Sequence, residues 1–245
     1  MNELILSPEK ECELVENMLN ILSKECEFKL SPNLSAAEKR WFLNSLMCVR
    51  SVGEIDDNFL LMQNKLLTSE MERRHIVDAG DLKAKRGVVA TDVPPTQIRA
   101  DALVTLSNSL LFGSSGTVKD LDSQILLSGG LQINEEISNI YKEESCVNNY
   151  SSPYIVGGFN LPVRFVAKLL VPYIAGELNK GIITKLKNNI SNLVDAIKQK
   201  GFKTVVVNLV SAPNNCNHLL TVLENELINL IKNKKVKTKL IFYKK

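Results

Sequence analysis

The 245-residue chain has only two histidines, His75 and His218, and five cysteines. Cys12, Cys26, Cys48, Cys146 and Cys216 are odd in number, widely scattered and without a C-x-x-C pair. That pattern excludes a disulfide framework and suits a reducing compartment, so the thiols are expected to be free and mostly buried. Cys216 and His218 have C-x-H spacing, but no third or fourth ligand lies near them, and a helix start is the favoured reading. His75 stands alone beside Arg73 and Arg74, with no partner for a nucleophilic triad. No metal and no cofactor is therefore expected. Long apolar runs are also missing: the stretch from Phe165 to Ile174 is interrupted by Lys168 and Pro172, well short of the ~20 residues that span a bilayer. The first thirty residues are rich in Glu and lack a positive segment followed by an apolar one, so no signal peptide is expected. The expected location is cytoplasmic or otherwise intracellular, with no membrane partner. Nor does charge of one sign dominate, since 30 Lys and Arg face 27 Asp and Glu for a net charge of +3. Phosphate-backbone binding needs a concentrated basic excess, so no nucleic-acid partner is expected. Internal repeats and low-complexity tracts are absent as well.

What is present is an ordinary globular composition, with 44% apolar and 23% charged residues. Residues 1–74 read as a helical extension. Ser7-Pro8 opens an apolar face at Leu14, Val15, Met18, Leu19 and Leu22. Ser35 and Glu38 form a capping box ahead of Trp41, Phe42, Leu46, Met47 and Val49. Gly53 breaks that helix, and Asp56 or Asp57 caps a third one carrying Phe59, Leu60, Met62, Leu66 and Leu67.

Residues 75–245 change texture. Val88 to Val93, Ala102 to Leu106, Tyr154 to Val156, Phe165 to Val171 and Thr204 to Val210 read as strands. Helices are expected over Val118 to Leu127, Leu131 to Glu144, Ile182 to Lys200 and His218 to Asn233. Apolar runs imply strands buried on both faces, as in a parallel sheet covered by helices. The fold class is therefore α/β. Lys235, Lys237 and Lys239 alternate with Val236, Thr238 and Leu240, which predicts a terminal edge strand guarded by lysines.

Open α/β sheets bind ligands beyond the carboxyl ends of their strands. Four loops after strands are candidates: Thr91 to Pro95, Ser107 to Gly116, Gly157 to Pro162 and Ser211 to Asn215. Asp92 is read either as a turn residue bonding its own backbone or as a ligand contact. Asn108 and Ser109 suit a turn or a ribose contact, and Gly113 to Thr117 suits a helix cap or an anion site. Asp120 and Asp122 are two apart on a presumed helix and do not share a face, which argues against a carboxylate pair.

Three stretches resemble the zinc-dependent macrodomain ADP-ribosylhydrolases, from about Phe42 to the C-terminus. Leu46-Met47-Cys48-Val49-Arg50 with Phe59-Leu60-Leu61-Met62-Gln63 is similar to that family's helical preface. Asp101-Ala102-Leu103-Val104-Thr105-Leu106-Ser107-Asn108-Ser109-Leu110-Leu111 resembles its "DAIVNAAN-S-LL" strand and loop. Asn160-Leu161-Pro162-Val163-Arg164-Phe165-Val166 with Val171-Pro172 resembles its "NLP-x-x-YV…VGP" strand. The resemblance implies a three-layer macrodomain-like fold, with a mixed, largely parallel sheet and helices on both faces.

It also implies site residues. Asp92 matches the family's adenine-contacting aspartate. Thr105 replaces the first of its paired asparagines, and Asn108, followed by Ser109, keeps the second. The family's zinc ligands are Cys, His and Cys after this strand, whereas Gly113 to Gly130 holds neither type. Its glycine-rich phosphate loop is here Ser211-Ala212-Pro213-Asn214-Asn215, in which Pro213 removes an amide donor. Asp92, Asn108, Ser109 and Ser211 are thus the candidate ligand contacts, with no catalytic and no metal-binding residue assigned. Three readings follow. One is a module whose partner is ADP-ribose, a related nucleotide or an ADP-ribosylated protein. The second is a hydrolase releasing ADP-ribose by substrate-assisted water attack, and the third is a decayed pocket on a domain that binds a protein partner.

Overall fold

A computed structural model describes residues 4–83, 88–107, 121–143, 152–171, 179–210 and 217–244. These fall in two compact units, the first within Met1–His75, Phe112–Glu135 and Phe159–Leu161, the second within Ile76–Leu111, Glu136–Gly158 and Pro162–Lys245.

The first unit is helical, and local sequence rules explain where its helices start. In α1 (Pro8–Glu25) the Ser7 hydroxyl accepts from the Lys10 amide, and proline fills the first turn where no donor is needed. α2 (Ala36–Val49) begins with the expected capping box, Ser35 and Glu38 each accepting from the other's backbone amide. Asp56, rather than Asp57, caps α3 (Asp57–Arg73) by accepting from the Phe59 amide at 2.9 Å. Met18, Leu22, Leu43, Phe59 and Leu66 from these helices bury together with Leu126 of α4 (Leu121–Gly129). Next to that core lies a polar node. The fully buried Gln63 accepts from the Leu131 amide at 2.9 Å and donates to Gln132 at 2.6 Å. Gly130 has φ +105°, and a Cβ there would lie 2.5 Å from the Gln63 nitrogen, so only glycine fits against the node. Of the described cysteines, Cys48 alone is buried, Cys12 is exposed and Cys26 partly so, while Cys146 and Cys216 lie outside the described residues.

The second unit contains the sheet. Its strands are β1 (Val77–Asp78), β2 (Val88–Thr91), β3 (Ile98–Ser107), β4 (Tyr154–Gly157), β5 (Val163–Leu170), β6 (Thr204–Asn208) and β7 (Lys239–Tyr243). They run in the order β2-β7-β6-β3-β5-β4, with β1 on β3, and only the β4–β5 pair is antiparallel. Alternate residues of β3, β5, β6 and β7, such as Val104, Ala167, Val207 and Phe242, pack with Leu186 and Leu193 of α6 (Lys180–Lys200) and Leu223 of α7 (Asn217–Asn233). The intervening residues Leu103, Val166, Val206 and Ile241 are equally inaccessible, so both faces are covered. That face also buries polar groups, since Thr105 and Lys168, which are register partners, are each 2% exposed. α5 (Gln132–Glu143) precedes β4.

Three sequence expectations change. β2 stops at Thr91 instead of Val93, since Pro94 and Pro95 lead into a 3₁₀ turn (Pro95–Gln97). β6 stops at Asn208, whose side-chain oxygen accepts from the Val210 amide at 3.1 Å and turns the chain. The terminal strand starts only at Lys239 and lies inside the sheet, paired with both β2 and β6. Lys235 and Lys237 precede it, so guarding an edge is not their role. Lys239 itself is bound internally, donating to the carbonyls of Ala79, Gly80 and Leu82.

Asp101 fixes the start of the central strands. Its carboxylate accepts from the amides of Lys203 at 2.6 Å and Thr204 at 3.0 Å, and Arg164 approaches at 3.4 Å. Partial burial works against its charge, but the two amides and then Arg164 outweigh burial and hold the carboxyl below the usual aspartate range. A depressed native value means stability that is present above the unfolded value of about 3.9 and is lost as pH falls through the native one. Both amides bond the same oxygen, so Asp101→Asn keeps an acceptor for them but removes the charge and turns its NH2 toward Arg164. It is expected to lose roughly 1–3 kcal/mol at pH 7, and chemical denaturation at pH 7, 5 and 3 should show the gap to the wild type closing only below about pH 4. Gly158→Ala tests a different constraint, because a Cβ there would sit 1.9 Å from the Val163 carbonyl oxygen. Backbone cannot yield as a side chain can, so a loss of more than about 2 kcal/mol is expected in the same assay.

Candidate ligand site at the carboxyl ends of the strands

Parallel pairing brings the ends of β2, β7 and β6 side by side, with Thr91 opposite Tyr243 and Tyr243 opposite Asn208. The backbone continues the ladder past the strands. Lys244 donates from its amide to the Thr91 carbonyl at 3.0 Å, and the Leu209 amide donates to Tyr243 at 3.0 Å. On the far side of β6, β3 ends at Ser107, whose carbonyl accepts from the Val171 amide at 2.8 Å.

A cleft of about 380 Å³ opens beside these ends, lined by Leu209, Val210, Asn217, Thr221, Glu224 and Lys244. Its rim is charged, the Lys244 ammonium meeting Glu224 at 2.6 Å. The first unit has a larger groove of about 580 Å³ beside Leu6, Leu14, Leu61 and Thr68, which lies between helices.

Asp92 stands at the first position after β2 and is exposed. The hydrogen bond that makes the turn there comes from its neighbour, the Thr91 hydroxyl accepting from the Val93 amide at 3.1 Å. Asp92 makes no hydrogen bond or ion pair with any described residue. The reading in which Asp92 bonds its own backbone is therefore replaced by a threonine turn with a free carboxylate at its tip. Asn108, Ser109 and Ser211 lie outside the described residues, as do Cys216, Asp120 and the Gly113 to Thr117 loop. His75 and His218 are both exposed. Among the described residues no three His, Cys, Asp or Glu side chains are grouped to hold a metal ion.

One candidate loop sits elsewhere. β4 runs antiparallel to β5, so the Gly157 to Pro162 connection lies where β5 begins, at the end of the sheet remote from Asp92. Within the first unit Asn160 serves the fold, its amide nitrogen donating to the Gly129 carbonyl at 3.0 Å and to Asn64 at 2.9 Å. Sequence reading also missed Lys244 and Glu224. Only the insertion of β7 beside β2 brings a lysine near the C-terminus to the Thr91 turn, and no local pattern announces that.

This arrangement of strands and covering helices is a macrodomain fold. Residues 108–224 match the model of the Macro domain family. The chain is 26% identical over 169 residues to the protein-ADP-ribose hydrolase of Staphylococcus aureus (strain MRSA252), which covers 66% of this chain and 63% of that protein. It is likewise 26% identical over 182 residues to the protein-ADP-ribose hydrolase of Treponema medium, covering 71% of this chain and 69% of that protein. Among solved structures, the Trypanosoma brucei macrodomain in complex with ADP-ribose superposes with a TM-score of 0.53 at 14% identity, covering 97% of this chain and 91% of that one. No described helix is long and apolar enough to cross a membrane.

Proposed function

We propose that this chain is a macrodomain module that binds ADP-ribose or a related nucleotide at the carboxyl ends of β2, β7, β6 and β3. The observation that carries this reading is the exposed, unpaired Asp92 carboxylate on the turn after β2, beside a cleft formed at the ends of β6 and β7. A carboxylate so placed accepts from an exocyclic amine such as that of adenine. Asn108 and Ser109, directly after β3, offer an amide and a hydroxyl for ribose, and Ser211 follows the turn that Asn208 imposes after β6. The T. brucei macrodomain solved with ADP-ribose supports the ligand class.

The names of the two bacterial relatives favour a second reading, hydrolysis of ADP-ribose from protein. The segment from Gly113 to Gly130 has no Cys or His to hold zinc, so hydrolysis here would depend on the substrate's own groups and a positioned water.

Calorimetric titration with ADP-ribose, with AMP beside it, tests the first reading. Saturable binding is expected, weakened about tenfold or more in Asp92→Ala, consistent with one lost charged hydrogen bond. No heat at millimolar ligand sinks it. Release of ADP-ribose from a modified protein, unaffected by chelator, would establish the second.

A further inference from the structure

The near-neutral balance of the whole chain conceals a strong asymmetry. Residues 179–244 contain twelve lysines, against which stand only Asp195, Glu224 and Glu226. Each of those acids already pairs with a lysine, Asp195 with Lys234, Glu224 with Lys244 and Glu226 with Lys187. Lys198, Lys200, Lys203, Lys232, Lys235 and Lys237 form no ion pair with any described residue, and all six are exposed.

Topology gathers these six at one end of the sheet. α6 ends at Lys200 and feeds β6 at Thr204, while α7 ends at Asn233 and feeds β7 at Lys239. The lysines occupy those two last turns and the two helix-to-strand links. Arg164, the second residue of β5, joins them with its side chain 69% exposed. Asp101 ties Arg164 to the Lys203 backbone, and the Lys200 ammonium lies 5.0 Å from the Phe165 ring, so the cluster is held on rigid elements. From β5 across β3 and β6 to β7 the strand starts span roughly 14 Å. Asp78, the last residue of β1, and Asp81, in the loop that Lys239 holds, border it with acid.

Helix-end electrostatics account for part of this. Lys198, Lys200 and Lys232 lie in last turns, where a cation complements the helix dipole. Lys203, Lys235 and Lys237 lie beyond the helices and are not explained that way. Lys235 takes φ 51° because it caps α7, the Val236 amide donating to the Ile231 carbonyl at 3.0 Å, so its backbone is set by the helix end while its charge is not. Edge protection does not explain them either, because β7 is an interior strand.

We propose that this end of the sheet binds the sugar-phosphate backbone of nucleic acid. A duplex carries about one phosphate charge per 1.7 Å of axis, so several phosphates face a surface of this width. A bilayer is the poorer match. The described residues of the second unit expose no large apolar side chain, and the connection into β5 adds only Phe159, too little apolar surface to anchor a bilayer. The surface lies at the opposite end of the strands from Asp92, so it works independently of the proposed nucleotide pocket.

The test is fluorescence anisotropy of a fluorescein-labelled DNA duplex of about 20 base pairs titrated with the full chain at several salt concentrations. Saturable binding is expected at low salt, with log K falling linearly against log salt. The variant K203Q/K235G/K237Q should bind about tenfold or more weakly and flatten that slope by roughly 2 to 3, while its thermal melt stays intact. ADP-ribose at saturating concentration should not displace the duplex. The proposal is overturned by an absence of binding at low salt, by an unchanged slope in the triple variant, or by displacement with ADP-ribose. Equal affinity for poly-glutamate would assign the surface to acidic polypeptides, and binding to phosphatidylserine vesicles without DNA binding would assign it to membranes; either result also overturns it.

Discussion

Asp101 sits where the central strands begin, and the register of the middle of the sheet depends on its carboxylate. β3 is the strand with most neighbours, pairing in parallel with β1, β5 and β6. A slip of one residue in any of these pairings would move apolar side chains from one face to the other. The amides of Lys203 and Thr204 would otherwise be free donors at the opening of β6, and one carboxylate satisfies both. Arg164 approaches the same group from β5. A single acid thus aligns three strands, and the sheet's far ends, where the candidate ligand contacts lie, inherit that alignment.

Local rules made much of this legible from sequence. Ser7, Ser35 and Asp56 cap helices because a short oxygen-bearing side chain before an apolar face has one low-energy use. The apolar runs Ala102 to Leu106 and Thr204 to Val210 read as doubly buried strands, and Ala102 to Leu106 and Val205 to Asn208 are inaccessible on both faces. Non-local features were not legible. The position of β7 between β2 and β6 depends on its pairing with β2 across about 150 residues, so the lysines before it were assigned to an edge that does not exist. The direction of β4 likewise cannot be read from Tyr154 to Val156, and it decides at which end the Asn160 loop falls.

The candidate site was legible in outline. Sequence placed ligand contacts in loops after strands, and Asp92 occupies such a position with its carboxylate unspent. Thr91 rather than Asp92 holds the turn because the amide two residues after Thr91 belongs to Val93, whereas an Asp92 side chain would reach Pro94 and Pro95, which have no N–H to give. Lys244 and Glu224 escaped notice since a terminal lysine and a mid-helix glutamate carry no signal until the sheet brings them within 2.6 Å.

β2 is an outer strand whose described neighbour is β7 alone. Val88 to Thr91 are made early by the ribosome, yet their partners Leu240 to Tyr243 come some 150 residues later. During synthesis the segment bearing Asp92 must therefore wait, with its amides and carbonyls open to solvent or to other chains, while the rest of the sheet has already been translated. A long-range closure of this kind is slow in proportion to the loop it completes. Nascent chains halted before β7 would expose β2 as an unpaired strand, a natural handle for chaperones and a starting point for aggregation.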